Sequence, residues 1–228
     1  MATPEDFVTR LREIGAQHYH DRHPFHLAMH AGSLSPAQLH SWIYNRYYYQ
    51  KNIPVKDAAI LANLPDRAKR RVWIQRILDH DGTSDGAGGI EMWLALARAA
   101  GLREDDVDSE RFVYPGARFA VDAYVNFART SPWLPAVASS LTELFAPELM
   151  AARIVALGEK YPWLESSGLE YFRTRLILAP RDAAYTLEWV TECAVTDELQ
   201  AACVAALRFK CDVLWALLDA TERGAARV

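Results

Sequence analysis

Apolar residues recur along this chain at spacings of three, four and seven, as in Leu39, Trp42 and Ile43 or Trp73 and Ile77, and no segment shows the alternation of two that a half-buried strand requires. A 3.6-residue period confines such a chain to amphipathic helices that bury their apolar stripes against one another. The helix-start signals agree. TPED at 3–6 and SPAQ at 35–38 each place Thr or Ser at an N-cap, proline at the first helical position and an acid or glutamine at the third. TDEL from Thr196 opens the last helix with two acids in its first turn, and Gly224 follows its end. Spacing and caps predict helices over 4–18, 35–51, 67–80, 89–100, 116–129, 133–157 with a break at Pro147, 165–178, 181–194 and 197–222. The expected fold is an all-α, single-domain helical bundle over 1–228, without internal repeats.

With 228 residues, 51% of them hydrophobic, the chain can bury a full core, and no Pro/Gly/Ser-rich linker or charge run divides it. A net charge of -4 argues against a nucleic-acid or anionic-membrane surface. The amphipathic, charged start MATPEDFVTRLREIG lacks a secretory apolar core, and no stretch approaches a membrane span, so a soluble cytoplasmic protein is expected. Cys193, Cys203 and Cys211 form no CxxC pair and lie in helical stretches, where they read as small core residues rather than disulfides or a metal cage.

Several apolar stripes carry a cation where a hydrophobe is expected. Lys210 shares a helical face with Leu199, Cys203, Ala206, Val213, Leu214 and Leu217. A buried ammonium is costly without an anion or a hydrogen-bonding network, whereas a snorkelling lysine keeps its amine in water. Arg46 repeats the pattern beside Leu39, Trp42, Ile43 and Ile53, with Gln50 one turn on; Arg76 and His80 sit on the side of Val72 and Trp73; Glu143, Met150 and Arg153 line a further face; Tyr171 and Arg175 are an i, i+4 pair. Cations on separate helices predict a shared polar cavity for a compact molecule with several carboxylates, since arginine forks suit carboxylates. The alternative is an internal salt-bridge network.

Six of the seven histidines lie between 18 and 40, but the spacing does not support a metal site. His26 and His30 are i, i+4 without the HExxH glutamate, and the Glu-x-x-His pairs of di-iron bundles are absent. DHDGTSDGAGGIE at 79–91 approaches a calcium loop through Asp81, Thr83, Asp85 and Gly86, yet the acid needed at the twelfth place comes one early, as Glu91. No strand precedes its glycines, which excludes a dinucleotide loop. A flexible loop beside His80, acting as a lid, is expected instead.

Longer segments carry more information. NRYYYQKNIPVKDAAIL, RILDHDG, GGIEMWL, RFAVDAYVNF, SSLTELFAP and YFRTRL, in order from about residue 10 to 220, resemble the pyrroloquinoline quinone synthase family. The resemblance implies the haem-oxygenase-like all-α fold and a homodimer. It also implies a cofactor-less oxidase that closes a ring in a tricarboxylated bicyclic quinone precursor and oxidises it by eight electrons with O2, releasing hydrogen peroxide and pyrroloquinoline quinone. No metal or redox cofactor is implied, and transient handover to other pathway proteins is compatible with it. By motif, Tyr19, Arg46, Gln50, Lys56, Arg76, Tyr124, Thr142, Glu143, Met150 and Arg153 would bind substrate, joined by His20, while His80 would be the general base, Tyr171 and Arg175 would shape the oxygen corner, and Lys210 would bind substrate anion and poise the oxygen intermediates.

The chain departs from the family at two places. Met150 in LFAPELMAAR and Tyr185 in RDAAYTL stand where the family often has histidine, and a thioether cannot shuttle a proton. A catalytically impaired relative that binds or carries the quinone is the alternative in a different class. A metal-dependent oxygenase on the same fold would need ligands that the spacing lacks.

Overall fold

The structure, a computed structural model, describes residues 3–225, and among them there is no strand. The helices are α1 (Pro4–His18), α2 (Pro24–Ala31), α3 (Pro36–Asn63), α4 (Arg67–Asp81), α5 (Gly89–Ala99), α6 (Glu104–Asp108), α7 (Pro115–Thr130), α8 (Trp133–Ala138), α9 (Ala146–Lys160), α10 (Glu170–Cys193) and α11 (Asp197–Ala225). Thr3 and Ser35 form the two capping boxes expected from the sequence, each accepting from the third backbone N–H, that of Asp6 or Gln38. No helix among the described residues is long and apolar enough to cross a membrane.

Several elements differ from the sequence expectation. α3 continues through Pro54 to Asn63 instead of ending near 51, and α10 runs unbroken through Pro180 where two helices were expected. Interior proline removes one ladder hydrogen bond and costs about 3 kcal/mol. Burial on both sides outweighs this: Ile43, Tyr47 and Ile60 flank Pro54 on the inner face, as Phe172, Trp189 and Val190 flank Pro180, and each fully buried large apolar side chain is worth about 1.5–3 kcal/mol. The expected 133–157 helix breaks earlier than Pro147, because the chain tightens into a 3-10 turn over Ser139–Leu144, where the Ser139 hydroxyl donates to the Ala136 carbonyl at 2.6 Å. α2, which the apolar pattern did not reveal, starts from an unusual cap, with His23 Nδ1 accepting from the Phe25 N–H at 3.1 Å.

α3 and α11 form the centre of the packing. α3 contacts α4, α5, α7 and α11, while α11 also packs on α1, α7, α8 and the 139–144 turn, and α9 lies against α10. One apolar cluster gathers Trp42, Trp93 and Phe172, with Trp42 and Trp93 ring centroids 5.2 Å apart; a second gathers Phe7, Leu11, Trp73 and Leu207. The α4–α5 connection is pinched at its base. Gly82 and Gly88 both have positive φ, and a Cβ on Gly88 would stand 2.5 Å from the Gly82 nitrogen and 2.6 Å from the His80 carbonyl oxygen. Only glycine lets the loop close this tightly behind His80.

Candidate active site

A small cavity opens where α3, α4, α9, α10 and α11 converge on the 139–144 turn. Nine of the residues singled out from sequence line it: Tyr19 and His20 after α1, Arg46 of α3, His80 of α4, Thr142 and Glu143 of the 3-10 turn, Met150 of α9, and Tyr171 and Arg175 of α10. Tyr49, Ile53, Ala146 and Leu214 complete the wall and were not anticipated, although Tyr49 is three residues past Arg46 on the same helical face. The other six expected residues stand behind the wall. Gln50 accepts from the Tyr171 hydroxyl at 2.8 Å, and Tyr124 bonds to the Ser139 hydroxyl at 3.2 Å. Lys56, Arg76, Arg153 and Lys210 are buried in the same region.

The cations divide into two populations. Lys56 reaches Asp57 Oδ1 at 2.6 Å; Arg76 reaches Asp57 Oδ1 and Asp182 Oδ2 at 3.3 Å each and Glu143 Oε1 at 3.4 Å; Arg175 reaches Glu143 Oε2 at 2.6 Å and Asp182 Oδ2 at 3.5 Å. Burial opposes ionisation of Glu143 and Asp182, but Arg175 and Arg76 outweigh it and hold both carboxyls below the usual range. Here the salt-bridge alternative applies. Arg46, Arg153 and Lys210 have no carboxylate within ion-pair distance among the described residues. Arg46 lies 4.1 Å from the Tyr49 ring centroid; Arg153 donates to His26 Nε2 at 3.0 Å and lies over Trp42; Lys210 donates to the Tyr49 hydroxyl at 2.6 Å with its Nζ 3.7 Å from the Tyr124 ring centroid. Lys210 is 1% exposed, which rules out snorkelling. Burial, with Lys56 and Arg46 nearby, pulls its ammonium well below the ordinary lysine range, and burial with Arg46 brings Arg153 down to about 9.

The α4 face that points inward is Trp73, Arg76 and His80, while Val72 is 40% exposed and belongs to the opposite side, a correction to the sequence reading. His80 Nδ1 donates to the Arg76 carbonyl at 3.0 Å, which fixes the tautomer and leaves Nε2 as a buried lone pair without a protein partner. Burial and the Arg175 charge lower this imidazole to about 4, so it is neutral at physiological pH. His20 and His26 are pushed well below the usual histidine range by burial and the surrounding arginines. His26 Nδ1 donates to the His20 carbonyl at 2.8 Å, so its Nε2 is free to receive Arg153. Tyr19 and Tyr171, both buried, are held above the ordinary phenol range and stay protonated.

The profile described as TENA/THI-4/PQQC family matches residues 8–220. The chain belongs to that family. A protein of Pseudomonas aeruginosa strain LESB58 named pyrroloquinoline-quinone synthase is 55% identical over 215 residues, 94% of this chain and 86% of that protein. A protein of the same name from Ectopseudomonas mendocina is 53% identical over 218 residues, 96% and 87% of the two chains. Among solved structures, a Shewanella denitrificans domain of unknown function with a heme oxygenase-like fold superposes with a TM-score of 0.74 at 15% identity, covering 96% of this chain and 90% of that one. The all-α fold is therefore the haem-oxygenase-like one.

Met150 and Tyr185, where the resemblance leads one to expect histidine, take different positions. Met150 is on the cavity wall, its sulfur 3.9 Å from Arg153 Nη1, and offers no proton. Tyr185 is off the wall; its hydroxyl donates to Asp182 Oδ1 at 3.1 Å and accepts from Arg76 Nη1 at 3.4 Å. Asp57 and Asp182 were missed. Asp182 lies seven residues after Arg175, two turns along one helical face, and Asp57 follows Lys56 directly, so spacing alone held a hint for each. Among the described residues, the one group able to converge on a metal is His23, Asp219 and Glu222, outside the cavity. His23 Nδ1 already caps α2, which places the proton on Nε2, facing Asp219 at 3.4 Å, and neither nitrogen is free to ligate.

Proposed function

We propose that this chain catalyses the closing step of pyrroloquinoline quinone formation, an O2-dependent oxidation by eight electrons with ring closure and release of hydrogen peroxide. The identity of 55% over 94% of the chain to a named pyrroloquinoline-quinone synthase carries this reading. The geometry supports it: a tricarboxylated quinone precursor needs cations that are not already neutralised, and Arg46 on the cavity wall, with Arg153 and Lys210 buried behind it, has no carboxylate partner among the described residues. The paired cations Lys56, Arg76 and Arg175, with Glu143, set the field of the opposite wall, Gln50 and Tyr124 add hydrogen bonds around it, and Thr142 lies on the wall itself.

His80 then acts as the general base. Its neutral Nε2 takes a carbon-bound proton from the substrate, and Arg175 on the adjoining wall disfavours the imidazolium that forms, so the proton is passed on readily. Each two-electron stage removes two electrons and two protons from the organic molecule and places them on O2 as H2O2. Tyr171, His20 and Arg175 shape the oxygen side, supplying hydrogen bonds and positive charge where oxygen acquires negative charge. The chemistry requires no metal or redox cofactor, since the substrate quinone is itself the redox centre. The chain works as one domain, and as a homodimer.

Metal-stripped protein incubated with the late biosynthetic intermediate, with and without air, tests the reading through quinone absorbance, O2 uptake and peroxide. Aerobic formation of pyrroloquinoline quinone without added cofactor is expected. Tight binding with no oxygen-dependent change would refute the synthase reading.

A further inference from the structure

Lys210 is fully buried and does not reach the cavity surface; Tyr49 does, and the Lys210 ammonium donates to the Tyr49 hydroxyl oxygen at 2.6 Å. That contact occupies a lone pair of the phenol and leaves its O–H without an acceptor among the described residues, on a side chain that forms part of the cavity wall. The Tyr124 ring, with Lys210 Nζ 3.7 Å from its centroid and its own hydroxyl tied to Ser139, closes the other side of the ammonium. Lys56, Arg46, Glu143 and Cys211 are the remaining titratable groups that Lys210 senses. The amine therefore has one polar outlet, and it leads through Tyr49.

We propose that Tyr49 is a catalytic proton donor in the oxidation, delivering to reduced oxygen the proton that Lys210 holds in reserve. The inference rests on the synthase reading above. In the step, the peroxide anion HO2− left after two electrons have passed from the substrate to O2 takes the Tyr49 O–H proton and becomes H2O2. The tyrosinate is reprotonated at once by the Lys210 ammonium, leaving a neutral amine that a later proton restores. No electron moves in either transfer, and charge balances at each. Burial disfavours the ammonium and the tyrosinate alike, so the transfer from Lys210 to the tyrosinate, which leaves amine and phenol neutral, runs downhill. With Met150 unable to carry a proton on the wall, Tyr49 supplies a route that does not need that position.

Tyr49→Phe keeps the ring, the packing and the Lys210 charge but removes the outlet. Calorimetric binding of the late intermediate under nitrogen should change by less than about ten-fold, the loss of one hydrogen bond. The anaerobic deprotonation phase should be unaltered, and the oxygen-dependent phase in single turnover should slow by about 100-fold. Because Lys210 acts through Tyr49, the double variant Tyr49→Phe, Lys210→Met should show an oxygen-dependent phase no slower than that of Tyr49→Phe alone, once both are saturated with substrate. An oxygen phase at the wild-type rate in Tyr49→Phe, or losses that multiply in the double variant, would overturn the inference. Wild-type protein that binds but never reacts would instead remove the functional reading beneath it, a result distinct from either.

Discussion

His80 makes the folded protein sensitive to acid in a way that can be calculated. Its imidazole lies at about 4 in the fold against 6.5 for the free side chain, with Arg175, Arg76 and Asp57 facing it. Between those two values the unfolded chain binds a proton that the folded chain refuses, so stability falls as pH drops through the window and is fully present above it. At pH 5 the unfolded imidazole is almost wholly protonated and the folded one is not, a difference of about 2 kcal/mol that grows to about 3 kcal/mol below pH 4. The comparison is wild type against His80→Gln, whose amide can still donate to the Arg76 carbonyl. Urea unfolding at about pH 7.5 and about pH 5 should show the wild type losing about 2 kcal/mol more than the variant; His20 and His26, depressed in the same direction, are present in both and cancel. Equal acid losses in the two proteins would show that His80 is not held neutral by the fold. The same depression places the acid limb of kcat/KM well below the usual histidine range, because the base is proton-free throughout neutral pH.

Three other substitutions probe the site's framework. Lys210→Met removes a buried counter-charge and should weaken binding of the tricarboxylate precursor by about 10- to 100-fold, while an unchanged dissociation constant in calorimetry would separate Lys210 from substrate recognition. Asp182→Asn leaves Arg76 and Arg175 sharing less negative charge in a buried network and should cost about 3–5 kcal/mol in chemical denaturation; a loss under about 1 kcal/mol would mean that Glu143 and Asp57 suffice. Gly15→Ala puts a Cβ 2.1 Å from Phe145 Cζ, so Phe145 and the Tyr19 ring tilted against it must shift; a stability loss of about 1–3 kcal/mol is expected, and a melting temperature matching wild type would contradict that packing.

Much of this molecule is local and was legible in the chain. Thr3 and Ser35 carry their capping partners three residues away, and the helical period placed Lys210, Arg46, Arg76 and His80 on apolar faces, because both depend only on neighbours within two turns. The long motifs likewise carried the family. What the period could not supply was the identity of whatever meets each buried charge. Arg175 and Arg76 find Glu143 on a 3-10 turn between α8 and α9, whereas Arg46, Arg153 and Lys210 meet rings, a histidine and a hydroxyl, and no repeat along one helix distinguishes the two outcomes. The helix ends expected near 51 and 178 fall just before Pro54 and Pro180, and packing on both sides of each proline overrides a single missing hydrogen bond. Sequence determined which segments are helical and that cations enter the core; the tertiary structure decided which of those cations stay unneutralised and that Tyr49 stands between Lys210 and the cavity, since ion pairing and access to a cavity are properties of helices brought together across 30 to 160 residues of chain.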